Sequence, residues 1–472
     1  MKTIAKRRLT TTEHLPSELV LQIQSSFKSS SSSCAADHKV PLLFPNLSQD
    51  VKLVLWMGLV ALAIRLAVVP FVYDEWMSPY NVAHYEQGNV ARALLAGHGF
   101  GSPFLSNQAS AVMPPVYPLI VAGLFRLFGI HTPAAMIALL SLNCLFSSLA
   151  CVPVFLIARR SFGPRAALWS GWAWAFSPYG IYFSAEWAWS THLLLLCLCW
   201  LFYIAQRMEC SSKLTLWAGF GLLAGFAGLT EPSVLAVIPI LMAVAGKQLA
   251  CGGKRWLRPW LVASLAMVVA ISPWMIRNAV VFHKFIPMRD SIGMEMYLGN
   301  NGTSFHWRSG DHHPNHNPQE LAEYNGGELQ YMDHKSKQAN AYILAHPRWY
   351  VWMSARRALY LWTGYWSVDP RYLAEEPLDP ANIPVATSLS LLGIIGLVLT
   401  WRRQRFEAVR YAGLLFLYPL MYYFVHPEAY RMRPLDPFLA ILGCHAILAL
   451  RVRQTAPNVE EEREMALADQ FV

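Results

Sequence analysis

Residues 133–157 decide the fold class of the chain: they read PAAMIALLSLNCLFSSLACVPVFLI and contain no charged side chain. A helix needs about 20 mostly apolar residues to cross the hydrocarbon core of a bilayer. This stretch therefore predicts a membrane-spanning helix. Nine further apolar stretches are interpreted as spans: 53–73, 164–185, 188–206, 214–230, 232–247, 259–276, 384–401, 411–425 and 434–450.

The composition of the whole chain agrees with many spans. Of its 472 residues, 55% are hydrophobic and 14% are charged, whereas soluble domains have about 25% charged residues. The mean hydropathy is +0.30. These values argue against a soluble monomer, a disordered chain and a disulfide scaffold. We therefore expect an all-α polytopic membrane protein with about ten transmembrane helices.

The basic side chains indicate how the spans are oriented. Lys and Arg accumulate in the cytoplasmic loops of membrane proteins, which accounts for the net charge of +9 without a nucleic acid partner. The basic short loops contain Arg159, Arg160 and Arg165; Arg207 and Lys213; Lys247, Lys254, Arg255 and Arg258; and Arg402, Arg403, Arg405 and Arg410. They alternate with nearly uncharged connections. This alternation places both termini inside and predicts a multi-pass protein of the plasma (inner) membrane.

This orientation divides the chain into five regions. Residues 1–50 are basic and serine-rich, which predicts a disordered cytoplasmic tail. Residues 51–276 form an N-terminal membrane module, and residues 277–383 form an outer polar region. Residues 384–451 supply the C-terminal membrane helices, and residues 452–472 form a second cytoplasmic tail.

The first outer loop, residues 74–132, lies within the membrane module. Its apolar segment 114–128 is too short for a span and contains Arg126. In the outer polar region, segment 347–366 contains Arg356 and Arg357, which are costly in hydrocarbon. Both segments are predicted to be helices that lie in the membrane interface.

Several side chains on the predicted outer side are candidates for chemistry. Glu86 precedes a helical segment that ends at Gly97 and Gly99, and a carboxylate there can act as a general base or remain a solvated acid. Arg277, Arg431 and Arg433 lie where outer span ends converge, with Arg357 as a fourth cation. Arginine binds phosphate oxygens in a bidentate way. These four arginines can therefore bind a lipid phosphate or anchor the topology.

Two other features are weaker candidates. Arg65 lies inside the first span, where a charge is a functional candidate by default, although its long stem can also reach the interface. Asp311, His312, His313 and His316 contain enough ligand atoms for a metal, but the neighbouring prolines favour a solvated loop. We therefore predict no metal site from this cluster.

The order of the motifs resembles the GT-C class of polytopic glycosyltransferases that use a lipid-phosphate sugar donor. An acidic first outer loop is followed by the ALLAGHGF turn at 93–100 and the MPPVYP start at 113–118. Later come SPWMIRN at 272–278, YLGNN at 297–301, His346-Pro347 and RPLDP at 433–437. The chain is most similar to the family-39-like members, which are relatives of protein O-mannosyltransferases and aminoarabinose transferases.

The resemblance implies roles for particular residues. Glu86 takes the place of the acid near the acceptor, with Asp74 and Glu75 as alternatives, and Glu186 is the acid in the outer link after the third span. We therefore expect a hexosyl or pentosyl transferase of the cell envelope. It would move a sugar from a polyprenyl-phosphate donor to a hydroxyl of a lipid, glycan or protein acceptor on the outer face.

The resemblance predicts no cofactor and leaves the involvement of a divalent metal open. The alternative function is a non-enzymatic transporter or lipid flippase that uses Arg65 and the outer acids as a translocation path.

Overall fold

The computed structural model describes residues 47–76, 85–105, 107–186, 188–303, 312–364, 370, 373, 379–425 and 429–455. Residues 1–47 form a separate unit from residues 48–472. Most of the two predicted cytoplasmic tails, residues 1–46 and 456–472, lies outside the described residues. The part of the chain that is described contains helices and one isolated bridge between Gly101 and Ala109, but no β-strand.

The described residues of the N-terminal membrane module form eleven helices. They are α1 (Leu47–Trp76), α2 (Glu86–Leu95), α3 (Val116–Phe128), α4 (Pro133–Leu149), α5 (Cys151–Phe162), α6 (Pro164–Ala175), α7 (Pro178–Glu186), α8 (Thr191–Met208), α9 (Leu214–Thr230), α10 (Ile238–Cys251) and α11 (Leu257–Phe282). A 3₁₀-helix, Pro232–Ala236, precedes α10. Helices α4 and α5 follow one another without a loop and together make a candidate span of 30 residues.

The outer polar region and the C-terminal part are also helical where they are described. The outer polar region contains α12 (Ile292–Gly299), α13 (Pro318–Asn325), α14 (Glu328–Ala345) and α15 (Pro347–Thr363). The C-terminal helices are α16 (Asp379–Arg403), α17 (Arg405–Leu417) and α18 (Asp436–Thr455). Two 3₁₀-helices, Leu420–Tyr423 and Ala429–Leu435, connect α17 to α18.

The all-α polytopic fold predicted from the sequence is confirmed. Seven helices among the described residues are long and apolar enough to cross a membrane. The other three predicted spans are short or broken. Span 164–185 is divided into α6 and α7, span 214–230 has 17 residues, and span 411–425 ends in a 3₁₀-helix. The count of ten spans therefore stays a prediction.

Two close helix contacts depend on glycine. A Cβ atom on Gly221 of α9 would lie 2.0 Å from the carbonyl oxygen of Ala263 in α11. A Cβ atom on Gly293 of α12 would lie 1.9 Å from the carbonyl oxygen of Met332 in α14. Small residues allow helix backbones to approach this closely, which gains van der Waals contact in both membrane and water. The second contact fixes α12 against α14 within the outer polar region.

Arg65 of α1 is fully buried and connects three helices. Its Nε atom donates to Ser147 Oγ of α4 at 2.9 Å, and its Nη atoms donate to the carbonyl oxygens of Trp174 and Ala175 at 3.1 and 2.9 Å. These carbonyls lie at the C-terminal end of α6, next to the break before α7. Carbonyls at such an end lack partners within their own helix, so a buried cation stabilises them. The side chain does not reach the interface.

Candidate active site

Glu86 is the first residue of α2, where the carboxylate meets the positive end of the helix dipole. Tyr85, immediately before it, is extended, and its carbonyl accepts the first hydrogen bond of the helix from Asn89 at 2.9 Å. Val90 and Ala91, in the middle of the same helix, are buried. The helix thus begins earlier than the segment 91–95 in which the sequence shows helical character.

The outer polar region covers the Glu86 carboxylate. His313 Nε2 lies 3.2 Å from Glu86 Oε1, and the Asn315 side chain donates to the same oxygen at 3.2 Å. The ring of His313 also packs edge-on against Phe104 of the first outer loop, with 5.1 Å between centroids. The side chains of Glu86 and His313 are only 15% and 14% exposed. The prediction that His313 belongs to a solvated loop is therefore wrong.

The remaining members of the predicted histidine cluster lie in different surroundings. His312 Nε2 is 2.7 Å from Thr303 Oγ1, whereas the ring centroid of His316 is 6.0 Å from that of His313. Asp311 lies outside the described residues. In the part of the chain that is described, no three His, Cys, Asp or Glu side chains are placed to hold a metal ion.

Glu186, the predicted second acid, is the last residue of α7 and accepts a hydrogen bond from Tyr182 at 2.7 Å. Tyr85 connects the segment that follows Glu186 to the segment of Glu86. The Tyr85 hydroxyl donates to the carbonyl of Ala188 at 2.6 Å, and the Tyr85 ring contacts Trp189. Asp74 and Glu75 lie in the last turn of α1, and their side chains are outside the described residues. The structure thus brings the segments of Glu86 and Glu186 together.

Arg277 of α11 holds the first outer loop against the membrane helices. Its Nη atoms donate to the carbonyls of Ser110 and Phe100 at 2.8 and 3.0 Å. The guanidinium also lies over the rings of Phe100 and Trp274, at 5.7 and 5.0 Å. In the described geometry, the donors of Arg277 are directed at the protein backbone.

A buried glutamate fixes the first outer loop from the other side. Glu328 of α14 accepts from the backbone N–H of Ala111 at 2.8 Å and from the Tyr324 hydroxyl at 2.6 Å. Burial raises the pKa of Glu328 above its ordinary value, and these hydrogen bonds oppose the rise. Together with Arg277, Glu328 determines how the loop lies on the outer polar region.

Arg357 of α15 is also buried, with 1% of the residue exposed. It donates to the carbonyl of Gly299, to Asn300 Oδ1 at 3.2 Å and to the carbonyl of Phe424 at 3.3 Å. Burial lowers the pKa of Arg357 to about 10, while Tyr350 opposes the change. The guanidinium remains charged at neutral pH and joins the C-terminal end of α12 to the segment after α17.

Arg431 belongs to a group of alternating charges. It pairs with Glu295 of α12 at 3.2 Å, and Glu295 also pairs with Arg289 at 3.1 Å. Arg289 in turn lies 3.7 Å from Glu231. The Arg431 guanidinium lies 5.0 Å from the centre of the Tyr422 ring. Two cations and two anions from three distant parts of the sequence therefore meet at one place, which we call the Arg431 cluster.

Arg433 lies beside this cluster in the sequence but has its own partners. It pairs with Asp436, one turn later, at 3.2 Å and lies 3.9 Å from the centre of the Tyr179 ring. Tyr179 belongs to α7, the helix that ends at Glu186. The C-terminal arginines are thus in contact with elements of the N-terminal module.

Sequence reasoning missed Glu295 and Arg289. Glu295 is an isolated acid in the apolar helix IGMEMYLG, and only 8% of the residue is exposed. A buried acid requires a partner cation, so the isolated charge was a usable signal. Arg289 gave no comparable signal, because a single Arg in a polar connection resembles any solvated residue.

Part of the chain matches a known protein family. Residues 112–276 match the family model described as dolichyl-phosphate-mannose-protein mannosyltransferase. The match starts in the first outer loop, just after Ala111, and ends within α11. No curated protein sequence matches the chain.

Solved structures extend the comparison to most of the chain. The apo oligosaccharyltransferase of Archaeoglobus fulgidus is 12% identical, with a TM-score of 0.51 over 88% of this chain and 52% of that one. AglB of the same organism, in complex with an inhibitory peptide and a dolichol-phosphate, is 11% identical over 88% and 51%, with a TM-score of 0.43. ArnT from Cupriavidus metallidurans, bound to undecaprenyl phosphate, is 13% identical over 82% and 77%, with a TM-score of 0.39.

At these identities the likeness to solved structures concerns the fold alone, and this chain spans about half the length of the archaeal oligosaccharyltransferase. The match over residues 112–276 and the polytopic all-α fold make the chain similar to glycosyltransferases of the GT-C class. Within that class the chain is similar to the protein mannosyltransferases, as the order of its motifs predicted.

Proposed function

We propose that the chain transfers a hexosyl or pentosyl group from a polyprenyl-phosphate-linked donor to an acceptor hydroxyl on the outer face of the plasma membrane. The donor class is supported by the matching family, whose description contains a dolichyl-phosphate-linked mannose. The acceptor is a lipid, glycan or protein that presents a hydroxyl at the membrane surface.

The observation that carries this proposal is the environment of Glu86. A carboxylate at a helix N-terminus, held by His313 and Asn315 at 3.2 Å each, has a defined orientation and little exposure to solvent. A general base must meet these conditions, because its oxygen has to lie within hydrogen-bonding reach of the acceptor proton. A merely solvated acid would have no such partners.

In the proposed reaction, Glu86 accepts the proton of the acceptor hydroxyl, and the hydroxyl oxygen attacks the anomeric carbon of the donor. The bond between that carbon and the phosphate oxygen breaks, and the electron pair leaves with the lipid phosphate. One displacement inverts the anomeric configuration. The products are the glycosylated acceptor, the lipid phosphate and a protonated Glu86.

The leaving phosphate gains negative charge, which nearby cations would stabilise. We propose Arg431 and Arg433 for this role, joined by Arg289 because it shares Glu295 with Arg431. Glu295 would hold both guanidinium groups in place before the donor arrives. We assign Arg357 and Arg277 to the same side of the site, where their hydrogen bonds position α12 and the first outer loop.

The environment of Arg65 bears on the transporter alternative. A translocation path needs a charge that can reach a passing substrate, but the donors of Arg65 are engaged by Ser147 and by carbonyls inside the bundle. Arg65 is completely buried. Its contacts favour a structural role and give the transporter interpretation no support.

Purified protein incubated with a panel of labelled polyprenyl-phosphate sugars and candidate acceptors tests the proposal. We expect one donor to yield free polyprenyl phosphate together with a glycosylated acceptor of inverted configuration. Movement of intact donor across proteoliposomes, without cleavage of the sugar–phosphate bond, would overturn the proposal in favour of a flippase. Glu86→Gln is the matched variant that separates enzymatic cleavage from contamination.

A further inference from the structure

A buried amide lies directly beside the proposed general base. Gln87 follows Glu86 in the first turn of α2, and only 3% of the residue is exposed. The Gln87 Nε2 atom donates to Met113 Sδ at 3.6 Å, and a thioether sulfur is a weak acceptor. The Gln87 Oε1 atom is buried and accepts no hydrogen bond from any residue that the structure describes. Within the described part of the chain, the amide therefore has one weak partner and no donor for its oxygen.

Asn89, two residues later in α2, has an amide that holds the fold together. Asn89 is also buried, and its Nδ2 atom donates to the carbonyl oxygen of Pro103 at 2.9 Å. This hydrogen bond ties α2 to the first outer loop. Gln87 makes no bond of this kind, although burying an amide without a good hydrogen bond lowers the stability of a fold. The amide of Gln87 is therefore not explained by a role in holding α2 in place.

The surroundings of Gln87 suit an apolar side chain. Val90 and Ala91 lie on the same face of α2, one turn later, and both are buried. Val90 and Met113 belong to one buried hydrophobic cluster, together with residues of α12 and α14. A methionine or leucine in place of Gln87 would extend this cluster without burying a polar atom. Departures from such a local rule are expected at functional sites.

The chemistry of this amide suits a hydroxyl group. The amide oxygen accepts a hydrogen bond and the amide nitrogen donates one, and a hydroxyl does both. A hydrogen bond made at Gln87 would be shielded from water, which strengthens it. Met113, whose sulfur contacts the amide, has an unbranched and flexible side chain. It can therefore move aside when a hydroxyl takes its place as the partner of Gln87.

We infer that Gln87 binds a hydroxyl group of a substrate next to Glu86, and that the substrate supplies the donor for the Gln87 oxygen. The hydroxyl belongs either to the sugar of the donor or to the acceptor, because both carry hydroxyls in the proposed reaction. The inference rests on the proposed function, since it takes Glu86 to lie at the place of transfer. The structural alternative is that the amide only fills space in the core.

Melting temperatures of purified variants test the first part of the inference. Gln87→Met replaces the amide with an apolar side chain of similar length, so the melting temperature should stay the same or rise. Gln87→Leu should behave in the same way. Asn89→Leu is the matched control, because it removes the bond to Pro103 and should lower the melting temperature. A marked fall in both Gln87 variants would show that the amide stabilises the fold, which would overturn the inference.

Kinetic constants of the same variants show which substrate carries the hydroxyl. With a labelled polyprenyl-phosphate sugar and an acceptor that the parent uses, Gln87→Met should lose about tenfold in kcat/KM, as for one hydrogen bond. A higher KM for the donor alone places the hydroxyl on the donor sugar, and a higher KM for the acceptor alone places it on the acceptor. Either result supports the inference. A lower kcat with both KM values unchanged would show that Gln87 only positions Glu86, and would overturn it.

Monodeoxy donors provide a second readout if the KM of the donor is the one that rises. The parent should discriminate against one of them by about tenfold, and Gln87→Met should accept it as well as the complete donor. Unchanged kinetic constants in Gln87→Met and Gln87→Leu would overturn the inference and leave the proposed function intact. A parent that cleaves no donor would overturn the proposed function, and the inference with it.

Discussion

His313 places its Nε2 atom 3.2 Å from the carboxylate of Glu86, so a side chain of the outer polar region contacts the acid of the first outer loop. Two regions that are far apart in the sequence therefore form the surroundings of the Glu86 carboxylate. Several predictions about catalysis depend on this contact, and they can be tested separately.

The first prediction concerns Glu86 as the general base. Glu86→Gln retains the shape and the hydrogen bonds of the side chain but cannot accept a proton, so turnover should fall by ~10²–10⁴-fold. Donor affinity should change little, and Glu86→Asp should give an intermediate rate. Rates and donor KM values measured with the labelled donor check this. Asp74→Asn and Glu75→Gln are the controls, and the base belongs at the end of α1 if one of them abolishes turnover while Glu86→Gln remains active.

The second prediction assigns His313 a positioning role. His313→Ala should lower kcat by roughly tenfold, since a hydrogen bond to a charged group orients the Glu86 carboxylate. The donor KM should stay constant, and His313→Gln should restore most of the rate because it retains a donor. His312→Ala is the matched control, because the neighbouring His312 contacts Thr303 rather than Glu86. Equal rates in the alanine variants of His312 and His313 would remove His313 from the site.

The third prediction concerns phosphate binding by Arg431. Arg431→Ala should weaken binding of the donor lipid by ~1.5–3 kcal/mol, the range for hydrogen bonds to charged groups. Arg431→Lys should restore only part of the affinity, because the bidentate geometry is lost. Glu295 keeps its contact with Arg289, so the fold should survive.

Arg356→Ala is the control for this measurement, since Arg356 bonds to the Tyr360 hydroxyl on α15. Direct titration of the donor lipid gives the affinities. Unchanged binding by Arg431→Ala would show that the phosphate lies elsewhere. We expect Arg433→Ala to weaken binding as well. Because this substitution also removes the cation that pairs with Asp436, the thermal stability of the variant must be measured in the same experiment.

The fourth prediction tests the orientation in the membrane. Arg165 and Ala322 are both exposed, and they lie on predicted opposite sides. After Cys251, an exposed native cysteine, is replaced by Ser, Arg165→Cys should be protected from an impermeant thiol reagent in intact cells, whereas Ala322→Cys should react. The reverse pattern would place Glu86 on the cytoplasmic side.

The fifth prediction concerns the stability of the outer polar region. Lys335 of α14 is buried and pairs with Glu320 and Glu323 at 2.7 and 2.9 Å. Removing one partner of a buried pair costs ~3–5 kcal/mol, so Lys335→Ala should lower the melting temperature markedly. Lys337→Ala, on the same helix, removes an exposed pair with Asp333 and should change stability by less than about 1 kcal/mol.

The pH dependence of this effect follows from the pKa of Lys335. Burial lowers that pKa, but hydrogen bonds and charge from Glu320 and Glu323 raise it more, so the net shift is upward. A pKa that is raised in the folded state contributes stability that is fully present below the unfolded pKa of about 10.4. This stability is lost only as the pH rises through the folded pKa. The difference in the free energy of unfolding between Lys335→Ala and the parent should therefore be constant from about pH 6 to 9. A difference that disappears within this range would contradict the assignment.

The sequence was sufficient for the features that depend on local composition. Long apolar runs identify α1, α4 with α5, α11 and α16, because the bilayer imposes one minimum length on every span. The predicted interfacial helix 347–366 corresponds to α15, whereas α2 starts at Glu86, before the segment in which the sequence shows helical character. None of these conclusions requires knowledge of which helix packs on which.

Tertiary partners could not be read from the sequence in the same way. The break between α6 and α7 occurs inside an apolar run, and Arg65 compensates it from another helix. His313 looked like part of a solvated loop because its partner, Glu86, lies in another region of the chain. Pairing between distant charges leaves no local signature, so the Arg431 cluster emerged only from the packed structure.

Because Arg277 binds the carbonyls of Phe100 and Ser110, the segment between these two residues can vary in length. Phe100 and Ser110 are fixed to one guanidinium, and the Ser110 N–H also donates to the Phe100 carbonyl at 2.9 Å. The segment between them is thus closed at its base, and insertions at its tip near Asn107 cost only the slow increase of loop-closure entropy. An insertion at this tip should therefore leave the helix that begins at Glu86 in its place.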